Sequence, residues 1–449
     1  MKKGIRFSLS TTQWILLSFF IVILIGSLLL FLPISVKEGQ SVTYLDALFT
    51  ATSATCVTGL VTVPTVTTWS IFGQIVILIL IQIGGLGVVT ILSGMMMLLH
   101  RRIGLGNRLL IQDAMNLNTL SGLLRFIKKV LLGTLLVEGV GALLYMIVLI
   151  PYFGVKGICL SVFNSVSAFC NAGIDIIAEN SLEQYVHQPL INLVTCGLII
   201  LGGLGYVVWW DVIRVIGTKK MGLKHLTLHS KIVISFTAAL ILLGTSAILI
   251  LEYNNPNTIG TFSFGEKLMA SFFQSVTTRT AGFATLPQQN LTPSSSLVSI
   301  LLMFIGGSPV GTAGGVKTVT IAVLCATAYA TVKNKNDVSM FGRNLSKQAV
   351  GKAIAVSSIS FVIVFTSTVL LSVVTDASVL DIIYETVSAT ATVGLSRSLT
   401  AVLNEAGKVI IIATMYLGRI GPISLFIALN SKKDRLNLVK NPTEEISVG

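Results

Sequence analysis

Four times along this chain a short motif ending in glycine is followed, 24–29 residues later, by a second glycine inside an apolar segment. The first set is Gly59, Gly173, Gly282 and Gly394, separated by 114, 109 and 112 residues; the second is Gly84, Gly202, Gly306 and Gly418. A unit of this length is too long for a solenoid repeat and long enough to cross a membrane twice. Four copies in one chain predict four units around one axis, each contributing a glycine-terminated loop to a shared centre.

The composition supports a membrane setting. Hydrophobic residues make up 53% of the 449 positions and charged residues 11%, which excludes an ordinary soluble globule. Eight nearly uncharged stretches reach the roughly 20 residues a spanning helix needs: 14–34, 69–99, 130–155, 188–210, 232–251, 297–332, 353–374 and 409–429. The expected fold is therefore an all-α membrane protein of four membrane-pore-membrane repeats. It would have eight transmembrane helices and four re-entrant pore helices around one pseudo-fourfold central pore. The repeats are expected at 1–100, 120–216, 228–332 and 346–430, followed by a tail at 431–449.

A net charge of +13 invites a nucleic-acid reading, and its placement argues against one. With a cytoplasmic N-terminus and alternating sides, 23 of the 31 Lys and Arg fall on the cytoplasmic side, whereas 11 of the 18 acidic residues fall outside. This is the positive-inside bias of a multi-pass plasma-membrane protein with both termini cytoplasmic, and the basic excess faces anionic lipid. The first apolar stretch is too long for a signal-peptide core and lacks a small-x-small cleavage site, so it is expected to be retained. The five cysteines (Cys56, Cys159, Cys170, Cys196 and Cys325) show no metal-ligand spacing and read as small apolar packers.

Aligned on their first glycines, the loops share a pattern. Residues 45–60 (LDALFTATSATCVTGL) and 380–395 (LDIIYETVSATATVGL) coincide at Leu, Asp, Ser, Ala, Thr, Gly and Leu. Residues 272–283 (FFQSVTTRTAGF) and 163–174 (FNSVSAFCNAGI) keep the shape more loosely. Three loops open with a capping signature: Thr43-x-x-Asp46, Ser263-x-x-Glu266 and Ser378-x-x-Asp381. A short helix so capped points its negative end at the Thr/Gly stretch. That stretch is expected to run extended with its carbonyls inward, where four rows could replace a cation's hydration shell.

The stretch 297–332 is 36 residues, roughly 54 Å as a helix against about 30 Å of hydrocarbon. Its middle, 306–318 (GGSPVGTAGGVKT), holds five glycines and a proline and is expected to break the span into two half-helices joined by a polar loop. It also imitates a phosphate-binding loop, but Val316 stands where the obligatory glycine belongs and an apolar span precedes it. The glycine pairs 84–85, 202–203 and 306–307 become Gly418-Arg419 in the fourth repeat. A membrane arginine faces a cavity or an internal partner. Arg419 is expected at the pore axis, hydrogen-bonding carbonyls of the 306–318 loop, with sideways pairing to an acid as the alternative. Arg279 is expected behind its loop, tied to backbone carbonyls or to an acid such as Glu385. Glu138 stands alone in a span, as a functional acid or a structural hydrogen-bond partner.

Residues 278–283 (TRTAGF), 55–59 (TCVTG) and 415–422 (MYLGRIGP) resemble the Trk/Ktr/HKT superfamily of potassium translocators, in particular the membrane subunit of bacterial Ktr systems, the KtrB/KtrD type. The resemblance spans residues from about 10 to 430. It implies potassium uptake through a selectivity filter built from Thr55, Cys56, Val57, Thr58 and Gly59; Cys170, Asn171, Ala172 and Gly173; Thr278, Thr280, Ala281 and Gly282; and Thr390, Ala391, Thr392, Val393 and Gly394. The second repeat departs most, with Phe169-Cys170-Asn171 in place of hydroxyl-bearing residues. The resemblance further implies a gate of Gly306, Gly307, Ser308, Gly311, Thr312, Gly314, Gly315, Lys317 and Arg419. It implies a homodimer and a cytosolic ring of nucleotide-binding regulatory subunits. The ions are K+ as cargo and Na+ as a candidate for activation or coupling; no bound cofactor, enzymatic activity or nucleic-acid partner is expected. The reading from another class is a secondary transporter of a different solute with the broken span as its site, although such folds show two inverted halves rather than four like copies.

Overall fold

The computed structural model describes residues 10–99, 112, 122–218, 222–335 and 337–421. The expected tail and the end of the last apolar stretch lie outside the described residues. Among those described, the chain is helical apart from turns, loops and one small antiparallel hairpin, Ser339–Met340 with Arg343–Asn344.

Each repeat begins with a long apolar helix: Thr11–Phe31, Leu123–Phe153, Leu228–Glu252 and Lys347–Val374. All four are long and apolar enough to cross a membrane. Their outer faces stay uncovered, with Leu135, Leu136, Leu143 and Ile147 more than 60% exposed. Toward the middle the side chains are small and polar, with Thr50, Thr52, Ser53, Thr55 and Thr58 buried. An uncovered apolar exterior around a centre that also buries many hydroxyls suits a lipid surround.

A short helix follows in every repeat: Tyr44–Cys56, Lys156–Cys170, Phe264–Thr277 and Val379–Ala391. At 13–15 residues each covers only about 20 Å and cannot span. The three expected capping residues are in place. Thr43 and Ser378 hydroxyls accept the Asp46 and Asp381 amides at 3.2 Å, and Glu266 accepts the Ser263 amide at 2.9 Å. In the second repeat Val155 occupies the cap without a side-chain bond.

The second apolar stretches differ from expectation. Interruption is expected only in the third, yet the first bends by 95° between Ile71–Leu86 and Val88–Leu98, and the second by 96° between Pro189–Leu204 and Tyr206–Gly217. The hinges are Gly87 (φ +84°) and Gly205 (φ +87°), and the helix Glu405–Ile420 likewise ends at Gly421 (φ +88°). Gly87, Gly205 and Gly421 lie three residues after Gly84, Gly202 and Gly418, in a backbone region that costs any other residue about 1–3 kcal/mol. The third repeat has Pro309 there, and its helices Pro293–Phe304 and Thr318–Val332 are separated by the loop 305–317.

Packing closes a circle. Each second helix lies against the short helix of the next repeat: Ile71–Leu86 on Lys156–Cys170, Pro189–Leu204 on Phe264–Thr277, Pro293–Phe304 on Val379–Ala391, and Glu405–Ile420 back on Tyr44–Cys56. One ion pair ties the seam, Lys408 Nζ to Asp46 Oδ1 at 2.6 Å, and Asp46 also accepts the Thr62 hydroxyl at 2.9 Å. Arg397 pins the fourth repeat to the third, bonding Asp381 (2.6 Å), the Gln288 carbonyl (2.9 Å) and the Ser296 hydroxyl (2.7 Å).

Candidate functional site

The short helices converge on the centre and stop in a common way. The residue two before each ring glycine adopts a left-handed conformation: Val57 (φ +56°), Asn171 (+58°), Thr280 (+69°) and Thr392 (+52°). The chain then reverses, with Thr58, Ala172 and Val393 amides returning to the Ser53, Ser167 and Ser388 carbonyls at 2.8 Å. The extended stretch is consequently shorter than expected. Thr55, Cys56, Cys170, Thr390 and Ala391 remain in the last helical turn, and only about three residues per repeat run free of it. The third repeat unwinds earlier, with Thr278 capping the helix and Thr280 and Ala281 beyond it.

The four glycines form a closed ring. A Cβ on Gly59 would lie 2.5 Å from the Ala172 carbonyl oxygen, and one on Gly173 would lie 2.6 Å from that of Ala281. One on Gly282 would strike the Val393 oxygen, and one on Gly394 the Thr58 oxygen. Every glycine thus abuts the carbonyl preceding the next repeat's glycine, and the fourth returns to the first. Two serines brace the ring from behind, their hydroxyls accepting the Gly59 and Gly394 amides at 3.0 and 3.1 Å (Ser53 and Ser388). Their place in the loop alignment was visible in the sequence, but not their partners.

The second glycines explain the 24–29 residue spacing. Gly84, Gly202 and Gly418 leave room for the carbonyls of Thr55, Phe169 and Thr390, each four residues before its own ring glycine. Gly306 instead faces the Gly314 carbonyl of its own loop. The third repeat thus substitutes a folded loop for the packing found in the other three.

That loop is held from several sides. Within the third repeat, Gly306 and Thr318 amides bond the Val316 and Gly307 carbonyls at 2.9 and 3.0 Å, and Ser308 and Thr318 hydroxyls meet at 3.0 Å. Toward the second repeat, Ser308 and Thr312 amides donate to the Gly203 and Gly202 carbonyls (2.9 and 3.2 Å). The Tyr206 amide reaches the Val310 carbonyl (3.1 Å), and the Thr312 hydroxyl the Phe169 carbonyl (2.9 Å). Gly314 abuts Ala391 and Thr392 of the fourth repeat, and Gly311 lies against Gly202 and Gly205. Gly315 (φ +64°) packs on Gly306, and Gly307 on Ala313. Lys317 Nζ bonds the Ala313 carbonyl at 2.6 Å. The amides of Thr312, Val316 and Thr318 are therefore committed to carbonyls and the lysine to its own loop.

Arg419 reaches this loop as expected and something besides. Its Nη1 donates to the Thr312 carbonyl at 2.7 Å, while Nη2 donates to the Gly84 carbonyl of the first repeat. One guanidinium thus joins the fourth repeat to the third and the first. No acid pairs with it among the described residues.

Other expectations fare differently. Arg279 is buried, and its Nη2 donates to the Thr237 hydroxyl at 3.4 Å; Glu385 serves Ser396 and Thr400 of its own repeat. The pairing with Glu385 is thereby corrected. Glu138 accepts from Gln82 Nε2 at 3.3 Å, with the Cys170 thiol beside it. Asp211 accepts the Thr227 amide (2.9 Å) and Arg214 (2.6 Å), so it caps the helix that opens the third repeat.

Long apolar helices, short helices that dip inward and a closed ring of glycines and carbonyls define a multi-pass membrane protein organised around a central polar path. The chain matches the family model described as TrkH, cation transport protein, over residues 2–438, and it belongs to that family. It is 40% identical to the Ktr system potassium uptake protein B of Bacillus subtilis, over 100% of this chain and 98% of that protein. It is 38% identical to the potassium/sodium uptake protein NtpJ of Enterococcus hirae, over 100% of this chain and 99% of the relative. Among solved structures it is similar to the potassium transporter TrkH from Vibrio parahaemolyticus, with a TM-score of 0.77 at 16% identity, covering 96% of this chain and 86% of the other. At that identity the likeness is one of fold.

Proposed function

We propose that this chain takes up potassium across the plasma membrane along the axis of its glycine ring. The observation that carries the reading is the ring's cyclic closure, in which four equivalent glycines each abut the carbonyl that precedes the next. Backbone oxygens so arranged can replace the hydration shell of a monovalent cation. The names of the full-length relatives, potassium and potassium/sodium uptake proteins, agree with this cargo. The residues 55–59, 170–173, 278, 280–282 and 390–394 act as the selectivity filter. The loop 306–318 with Arg419 acts as a gate beneath it. Both termini face the cytoplasm, the chain pairs as a homodimer, and a cytosolic nucleotide-binding ring controls the gate.

Substitution of the ring glycines tests this. Gly282→Ser or Gly394→Ser puts a side chain into a neighbouring carbonyl. Each should lower potassium-over-sodium discrimination by at least about tenfold, near 1.4 kcal/mol, or abolish uptake. The measurement is rubidium or potassium uptake by potassium-uptake-deficient cells, with and without sodium. Unchanged affinity and selectivity in all four single mutants would falsify the filter assignment.

A further inference from the structure

The third ring segment carries a charge at a position where the other three have none. Counting back three residues from the ring glycines gives Cys56, Cys170, Arg279 and Ala391. Arg279 lies two residues beyond the helix Phe264–Thr277, at the negative end of its dipole, between Thr278 and Thr280 of the ring segment. It is 7% exposed, its Nε–H has no partner, and among the described residues no carboxylate lies within 4.0 Å of it. Beside it is a cavity of about 10 Å³, lined by Ile199, Ile200, Gly203, Val276 and Gly307, just large enough for one water. The corresponding wall one repeat earlier is occupied differently. There Cys170 faces Gln82 and the carboxylate of Glu138.

A buried arginine is costly and is retained where its charge has a use. A guanidinium remains protonated in a protein, and neither Thr237 nor a single water neutralises it. From covalent reach alone it lies within about 10 Å of the carbonyls beside it. We infer that Arg279 sets the strength of potassium binding: its fixed positive charge behind the third ring segment offsets that helix's dipole, weakens cation binding at the ring and speeds release. This rests on the conduction reading above. Throughput requires binding strong enough to admit the ion and weak enough to let it leave.

The test uses the full chain in liposomes, with rubidium as the probe for flux and potassium-dependent thermal shift as the probe for binding. Arg279→Gln should lower the half-saturating concentration about tenfold, the order expected of one charge at that distance and an effective dielectric of about 20. It should also lower the maximal rate. Arg279→Lys, which keeps the charge, should behave like the wild type. Thr237→Asp, which brings a carboxylate to the guanidinium, should act as Arg279→Gln does, with Thr237→Asn as its neutral control. A folded Arg279→Gln with wild-type half-saturation overturns the inference, as does Arg279→Lys shifting as far as Arg279→Gln, since shape rather than charge would then matter. Should Arg279→Gln fail to fold, Thr237→Asp decides, and unchanged potassium binding in it overturns the proposal. Failure of the underlying reading looks different: wild-type flux would be indifferent to the ring glycines.

Discussion

Arg419→Ala removes two charge-assisted hydrogen bonds, one to the Thr312 carbonyl of the 306–318 loop and one to the Gly84 carbonyl. Only the first holds the loop directly. A buried bond of this type contributes about 1.5–3 kcal/mol. Its loss should shift the balance between seated and displaced loop by roughly 10- to 150-fold toward displacement. The loop would still keep its bonds to Gly202, Gly203, Phe169 and Tyr206, so the protein should remain folded with the loop seated less often. On the proposed gate reading, removal of the guanidinium also removes a charge of the same sign as the cargo. Both effects have the same sign, so flux should rise and depend less on a regulatory partner while selectivity stays near wild type. Arg419→Lys should be intermediate, because an ammonium keeps the charge but cannot fork between two carbonyls. Rubidium flux into proteoliposomes, with and without the cytosolic partner, measures this, and monodispersity in detergent checks folding. Reduced flux in folded Arg419→Ala and in a partial loop deletion would refute the reasoning, and the loop would then be better understood as a solute site.

The hinge glycines offer a paired experiment. A Cβ at Gly87 meets nothing nearer than 3.8 Å, whereas one at Gly205 would strike the Pro309 carbonyl of the loop. Both Gly87→Ala and Gly205→Ala should lose about 1–3 kcal/mol to backbone strain, seen as a lower melting temperature. Only Gly205→Ala should leak, and equal leak in both would separate the loop from the gate. The purified chain should show no saturable micromolar binding of ATP or ADP, because the loop amides of Thr312, Val316 and Thr318 are already bonded to carbonyls. Stoichiometric binding measured by calorimetry would contradict that.

The ring was legible because period is a strong signal: Gly59, Gly173, Gly282 and Gly394 recur at nearly constant spacing, and short capped helices between long apolar ones leave few alternatives. The bends were not, although Gly87 and Gly205 stand three residues after Gly84 and Gly202. Continuous hydropathy hides a change of direction, and a lone glycine in an apolar run is tolerated in a straight helix. Nor do Val57 and Thr392 announce a left-handed conformation, which β-branched residues seldom adopt; tertiary closure of the ring imposes it. For Arg279 the sequence left backbone carbonyls or an acid such as Glu385 open, because proximity to a loop carries no register. Glu385 is claimed locally by Ser396 and Thr400, an arrangement set by side-chain direction on its own helix.

The seam between the last repeat and the first has a consequence for biosynthesis. Lys408 and Asp46 are 362 residues apart in sequence, and Arg419 and Gly84 are 335 apart. Contacts of such separation form late, after the intervening chain has been made and inserted. Gly394 must also arrive before the Thr58 carbonyl has its neighbour. A ribosome-bound chain therefore carries three-quarters of an aperture that has no fourth side. The stretch that completes the ring arrives together with Arg419, the residue that bonds the 306–318 loop, so ring closure and the contact that holds the loop are made at the same stage of synthesis.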